Sequence, residues 1–155
     1  MEKELLNSGK ELLLKDLCAR LPYGVKCSFG VDDTVYEITG INPTCCGASE
    51  IQATHIKSSI NGDFRLNSCK PYLFPLSSMT EEQLNDFYAT IRPVIEEALD
   101  AYKDDKTEYE GERPITLKDI KTDIVAVNWM LKNHFDMNGL IPMGLAVDAI
   151  GLNIY

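Results

Sequence analysis

The sequence predicts a single α+β domain. Three observations predict it. Apolar residues recur at helical spacing between Leu13 and Leu21, the pattern changes to a period of two from Val25, and helical spacing returns after Thr80. The expected order is an N-terminal helix over residues 8–21 and a four-stranded antiparallel meander over 25–69. A helical part over 80–134 and a packed tail over 135–155 follow. The meander is either an open sheet under a helix or a small barrel.

The first helix is read from Ser8 and Glu11, which have capping-box spacing, and from Leu13, Leu14, Leu17, Cys18 and Leu21, which share one face. Pro22 and Gly24 stop it. Val25, Cys27 and Phe29 then alternate with Lys26 and Ser28, as in a half-buried strand. Gly30 to Asp33 is a reversal, and Thr34 to Ile41 is rich in β-branched and aromatic residues, so these two strands pair as a hairpin. Asn42 to Gly47 has loop chemistry. A third strand covers Glu50 to Ile60, and Asn61-Gly62 predicts a type I′ turn into a fourth strand, Asp63 to Cys69.

Pro71 and Pro75 make Lys70 to Ser78 a connecting segment. The helix after it has the clearest start in the chain. Thr80 and Gln83 form a capping box, Met79 and Leu84 a hydrophobic staple, and Glu81 and Glu82 lie where the helix dipole favours carboxylates. Leu84, Phe87, Tyr88, Ile91, Ile95, Ala98, Leu99 and Tyr102 form an apolar stripe. Pro93 predicts either a kink or two abutting helices. Lys103 to Arg113 lacks periodicity and is expected to be a mobile loop. A last helix from Leu117 or Thr122 to Asn133 buries Ile120, Ile124, Val127, Leu131 and Phe135, with Trp129 and Met130 flanking. The tail from Leu140 to Tyr155 is too apolar to be free.

An apolar fraction of 45% and a charged fraction of 25% are ordinary for a globular protein. There is no run of about 18 apolar residues. The start of the chain lacks the basic-then-apolar order of a signal peptide, so cytoplasmic residence is expected. Five cysteines without a Cys-x-x-Cys pair suit reduced thiols. Of the net charge of −9, the span Thr80 to Arg113 holds 11 acids against four bases, or −7. Such a surface repels phosphate, so neither direct nucleic-acid binding nor an anionic membrane is an expected partner.

Few residues offer chemistry. His134 and Asp136 close together suit a general base or a metal ligand pair, since a carboxylate raises a neighbouring imidazole pKa. A helix C-cap and turn is the competing structural reading. Cys45, Cys46 and His55 are soft-ligand or thiol-nucleophile candidates, although adjacent cysteines lack the usual spacer for zinc. No cofactor is expected, because phosphate loops and dinucleotide fingerprints are missing.

Lys70 to Glu82, His134 to Ala146 and Leu21 to Lys26 resemble stretches in a group of small uncharacterised proteins of anaerobic gut bacteria and their phages or prophages. The resemblance runs through the whole chain in order. It implies a phage or mobile-element context and brings no catalytic residue. The acidic helical face, the apolar tail and the missing catalytic signatures make the expected function a non-enzymatic interaction or accessory factor, binding another protein or itself. The alternatives are a small hydrolase or metal-dependent enzyme using His134 with Asp136 or Cys46 with His55, and an acidic inhibitor that mimics DNA.

Overall fold

The computed structural model describes residues 2–30, 34–43, 49–103 and 117–155. It divides into two compact units, Met1–Ser78 with His134–Tyr155, and Met79–Asn133. The fold is α+β, with an N-terminal helix, an open mixed sheet and later helices.

In the first unit α1 spans Glu2–Arg20. It starts upstream of Ser8, so that serine is no cap. Gly9 is buried inside the helix, and a Cβ there would meet Leu145 Cδ1 at 3.3 Å. Close packing of the tail on that turn accounts for a glycine in a helix interior. The buried face is Leu13, Asp16, Leu17 and Arg20, whereas Cys18, expected on it, is exposed. A 3-10 turn over Leu21–Tyr23 follows, with Pro22 at its start, and Gly24 closes it at φ +67°.

The sheet has six strands: β1 Lys26–Ser28, β2 Tyr36–Pro43, β3 Ser49–His55, β4 Asn61–Arg65, β5 Lys70–Leu73 and β6 Val147–Asp148. Their order is β4-β3-β2-β1-β5-β6. The four-stranded antiparallel meander is therefore only part of a larger sheet. β5 adds antiparallel to β1, β6 adds parallel to β5, and the sheet is open rather than closed into a small barrel. Lys70–Leu73 is a strand, not a connector. Pro71 pairs with Cys27, and pairing to β6 begins only at Tyr72, so the missing N–H falls where the second ladder has not started.

Asn61-Gly62 is also not the predicted turn. Both residues lie in β4, opposite Thr54 and Ala53. The reversal lies earlier: the His55 N–H donates to the Ile60 carbonyl at 2.9 Å, with Ser59 at φ +56°. Gly62 serves packing instead, since a Cβ there would lie 2.9 Å from the Phe64 ring. That ring stacks on Phe29, with centroids 3.8 Å apart and planes 8° from parallel.

Leu13 and Leu17 of α1 share one core with Val25, Cys27, Ile38, Ile51 and Leu73 of the sheet region and with Leu140 and Ala146 of the tail. The tail is held by its backbone as well. Both Asp136 carboxylate oxygens accept, from the Leu140 and Ile141 N–H groups, at 2.9 Å each.

In the second unit α2 spans Glu81–Lys103 and α3 spans Leu117–Lys132. The capping box is present: the Thr80 N–H donates to Gln83 Oε1 at 2.9 Å, and the Gln83 N–H donates to Thr80 Oγ1 at 3.2 Å. α2 runs through Pro93 as one helix. Trp129 is buried and joins the helices, donating from Nε1 to Asp86 Oδ2 at 2.8 Å and meeting Phe87 edge-on. The predicted face of α3 is thus rotated. Ile124 and Val127 are 54% and 44% exposed, while Leu131 is buried and Phe135 belongs to the first unit. A tryptophan offers more apolar area than either aliphatic, and its N–H finds an acceptor on α2. The Ile120 side chain and the span 104–113 lie outside the described residues. No helix among the described residues is long and apolar enough to cross a membrane.

Candidate functional site

His134 stands where the chain re-enters the first unit after α3. Its carbonyl accepts the Phe74 N–H at 2.9 Å, and the Asp136 N–H donates to the Phe74 carbonyl at 2.8 Å. His134 takes φ +59°, a left-handed conformation uncommon outside glycine. Its ring lies flat on Tyr155, with centroids 3.8 Å apart and planes 13° from parallel.

Tyr155 is in turn tied to the sheet. Its hydroxyl donates to the Tyr72 carbonyl at 2.9 Å and accepts the Lys26 N–H at 3.1 Å. The Lys26 ammonium donates to the Ile154 carbonyl at 2.6 Å and lies 5.1 Å from the Tyr155 ring centre. Arg20 approaches from α1 with no exposed surface. It donates from Nε to Asp16 Oδ2 at 2.6 Å, and from Nη2 to Asp16 Oδ1 at 3.1 Å and to the Phe135 carbonyl at 2.7 Å. Asn138 adds a bond to Asp16 Oδ1 at 2.8 Å. Arg20 Nη1 and His134 Nδ1 are buried and have no hydrogen-bond partner among the described residues.

This setting pulls His134 down to about 4, by burial first and then by the charges of Arg20 and Lys26. That is opposite to the shift a neighbouring carboxylate would give. Asp136 is engaged with two backbone N–H groups of the tail, and no described hydrogen bond joins it to His134. Burial likewise pushes the Tyr155 hydroxyl above its ordinary range. The two residues singled out from the sequence thus share a turn but have separate jobs. One closes an aromatic stack and the other caps the turn behind it.

The other candidates do not assemble around a reacting position. His55 Nδ1 shares a hydrogen bond with the Ser58 hydroxyl in the β3–β4 reversal, and its ring tilts against Tyr36. Cys45 and Cys46 lie outside the described residues. Cys27 and Cys69 are both buried, and a hydrogen bond between them, with burial, raises the Cys27 thiol above its ordinary range. Among the described residues no group of three or more His, Cys, Asp or Glu is placed to hold a metal ion.

Arg20, Asp16, Lys26 and Tyr155 were not singled out from the sequence. One signal was present: Asp16 and Arg20 sit four apart on the face that carries Leu13 and Leu17.

The second unit offers a different kind of site. Leu84, Tyr88 and Ile95 of α2 are 39%, 50% and 38% exposed. Tyr88 and Ile95 line an open groove of about 480 Å³ together with Asn85, Ala89, Ile91, Arg92 and Pro93. Pro93 carries no N–H, so the Ala89 carbonyl loses its helical donor at this groove. Comparison of the chain with known protein families, curated proteins and solved structures finds no match.

Proposed function

We propose that this chain is a non-enzymatic interaction protein whose second unit is the docking arm. The observation that carries this is the run of exposed large apolar side chains on one helix pair: Leu84, Tyr88 and Ile95 on α2, Ile124 and Val127 on α3. Large apolar residues grouped on one element favour a protein partner, whereas single scattered ones need no explanation. The stacked and capped His134 and Asp136 favour a structural role for that pair over general-base chemistry. The resemblance of Lys70 to Glu82 and His134 to Ala146 supports an accessory role in a phage or mobile-element context.

The test is affinity capture of the tagged protein from nuclease-treated lysate, run beside the double variant Tyr88→Asp, Ile95→Asp. One dominant bound protein that the variant loses is the expected result. Retention of that protein in high salt marks an apolar interface, whereas loss in moderate salt points to the acidic surface acting alone, as a DNA mimic would. Identical captures by wild type and variant would overturn the docking arm.

A further inference from the structure

We infer that the α2 groove receives a basic amphipathic helix of a partner protein. This rests on the interaction reading and adds the chemistry of the occupant. Leu84, Tyr88, Ile91 and Ile95 follow one another at spacings of four, three and four, the seam pattern by which one helix packs along another. Ile91 forms the groove floor and the other three stand exposed.

Charge selects the occupant. By sequence α2 carries Glu81, Glu82, Asp86, Glu96, Glu97 and Asp100 against two bases, Arg92 and Lys103. Asp86 already accepts from Trp129, and Glu97 pairs with Lys121. Glu81 and Glu96 are exposed, one a turn before Asn85, the first residue lining the groove, and the other directly after Ile95, the last. Glu81 lies seven residues before Tyr88 on its row, and Glu96 lies seven after Ala89. The Ala89 carbonyl without its helical donor adds an acceptor between them. A helix with an apolar stripe flanked by lysines or arginines complements all three features. A second copy of this chain would bring the same surplus of carboxylates to the seam.

The test uses the full chain and two synthetic helical peptides. One has leucine at the seam positions and lysine elsewhere; its twin has glutamate in place of lysine. Binding is read by fluorescence anisotropy and located by amide chemical-shift changes. The lysine peptide is expected to bind saturably, with shifts centred on Tyr88, Ala89 and Ile95, and the glutamate twin to bind at least about tenfold more weakly. Tyr88→Asp and Ile95→Asp, with unchanged circular dichroism, should each weaken the lysine peptide about tenfold. Arg92→Glu removes the base that lines the groove and should tighten it by roughly two- to fivefold, a gain that misfolding cannot mimic.

Equal binding of the two peptides, shifts centred elsewhere, or an unchanged Arg92→Glu affinity would each overturn the inference. Should capture reveal a Tyr88-dependent partner while the lysine peptide ignores the groove, the docking arm stands and the basic helix falls. Self-association that Tyr88→Asp abolishes would make a second copy the occupant and also overturn it. If neither capture nor peptide responds to Tyr88→Asp, both readings fall together.

Discussion

The first unit buries an ion pair in its core, while the second closes on an aromatic contact between two helices and leaves much of one helix face exposed. Arg20 and Asp16 are 0% and 2% exposed, yet Tyr88 on α2 is 50% exposed. The difference follows from what each unit can enclose. A six-stranded sheet with a helix and a tail on it has enough surfaces to close a core, and it even holds an ion pair inside. Two helices can shield only the faces that meet, here around Trp129, Phe87 and Ile91. The contrast teaches that the first unit has the layers to enclose a charged pair, although it too keeps exposed apolar groups such as Ile60, whereas the second exposes Leu84, Tyr88 and Ile95 on one helix.

The largest expected effect lies in the first unit. Asp16→Ala leaves the Arg20 guanidinium buried without its carboxylate, and should cost about 3–5 kcal/mol in urea unfolding. The paired change Asp16→Leu, Arg20→Met should cost much less, because a buried ion pair contributes little beyond an apolar substitute. If the single and paired variants are equally unstable, the cost comes from packing rather than charge.

His134 sharpens the same point through pH. Its folded pKa of about 4 lies below the unfolded value near 6.5. The unfolded state therefore binds more protons between those values. The stabilisation is complete above about pH 6.5 and is lost as pH falls towards 4, by on the order of 3 kcal/mol. Wild type should lose on the order of 3 kcal/mol relative to His134→Phe as pH falls through that window, because the phenylalanine variant has no imidazole to protonate; parallel pH profiles of the two would show that His134 does not titrate there.

Thr80→Ala removes one half of the α2 capping box and should destabilise the helix start by about 1 kcal/mol. Amide exchange should report faster opening near Gln83 and little change at Ile51. The smallest effect should come from Tyr88→Asp, which alters an exposed seam and should shift stability by no more than about 0.5 kcal/mol. A loss as large as that of Asp16→Ala would show Tyr88 to be a packing residue and erase the contrast between the units.

Local signals carried much of this chain. The change from helical spacing to a period of two near Val25 and the stop at Gly24 depend on neighbours within a few residues, as does the Thr80–Gln83 box. All three are legible without knowing what lies across the fold. Tertiary structure decided the rest because the deciding partner is remote. Asn61-Gly62 reads as a turn until Phe29 and Phe64 stack and require the missing Cβ of Gly62. Pro71 argues against a strand until β1 supplies the pairing and β6, more than 70 positions later, starts beyond it. The α3 stripe has two apolar faces of similar weight, and the indole that can reach Asp86 selects one. His134 and Asp136 drew notice as neighbours in sequence. What sets their chemistry is Arg20, bonded across 115 positions to the carbonyl between them, together with Tyr155 and the tail. By itself the sequence determined the α+β class, the α2 start that caps locally at Thr80 and the acidic character of the second unit. Register, the two added strands and the environment of every candidate side chain were decided by long-range packing, because burial and charge depend on what the folded chain brings near.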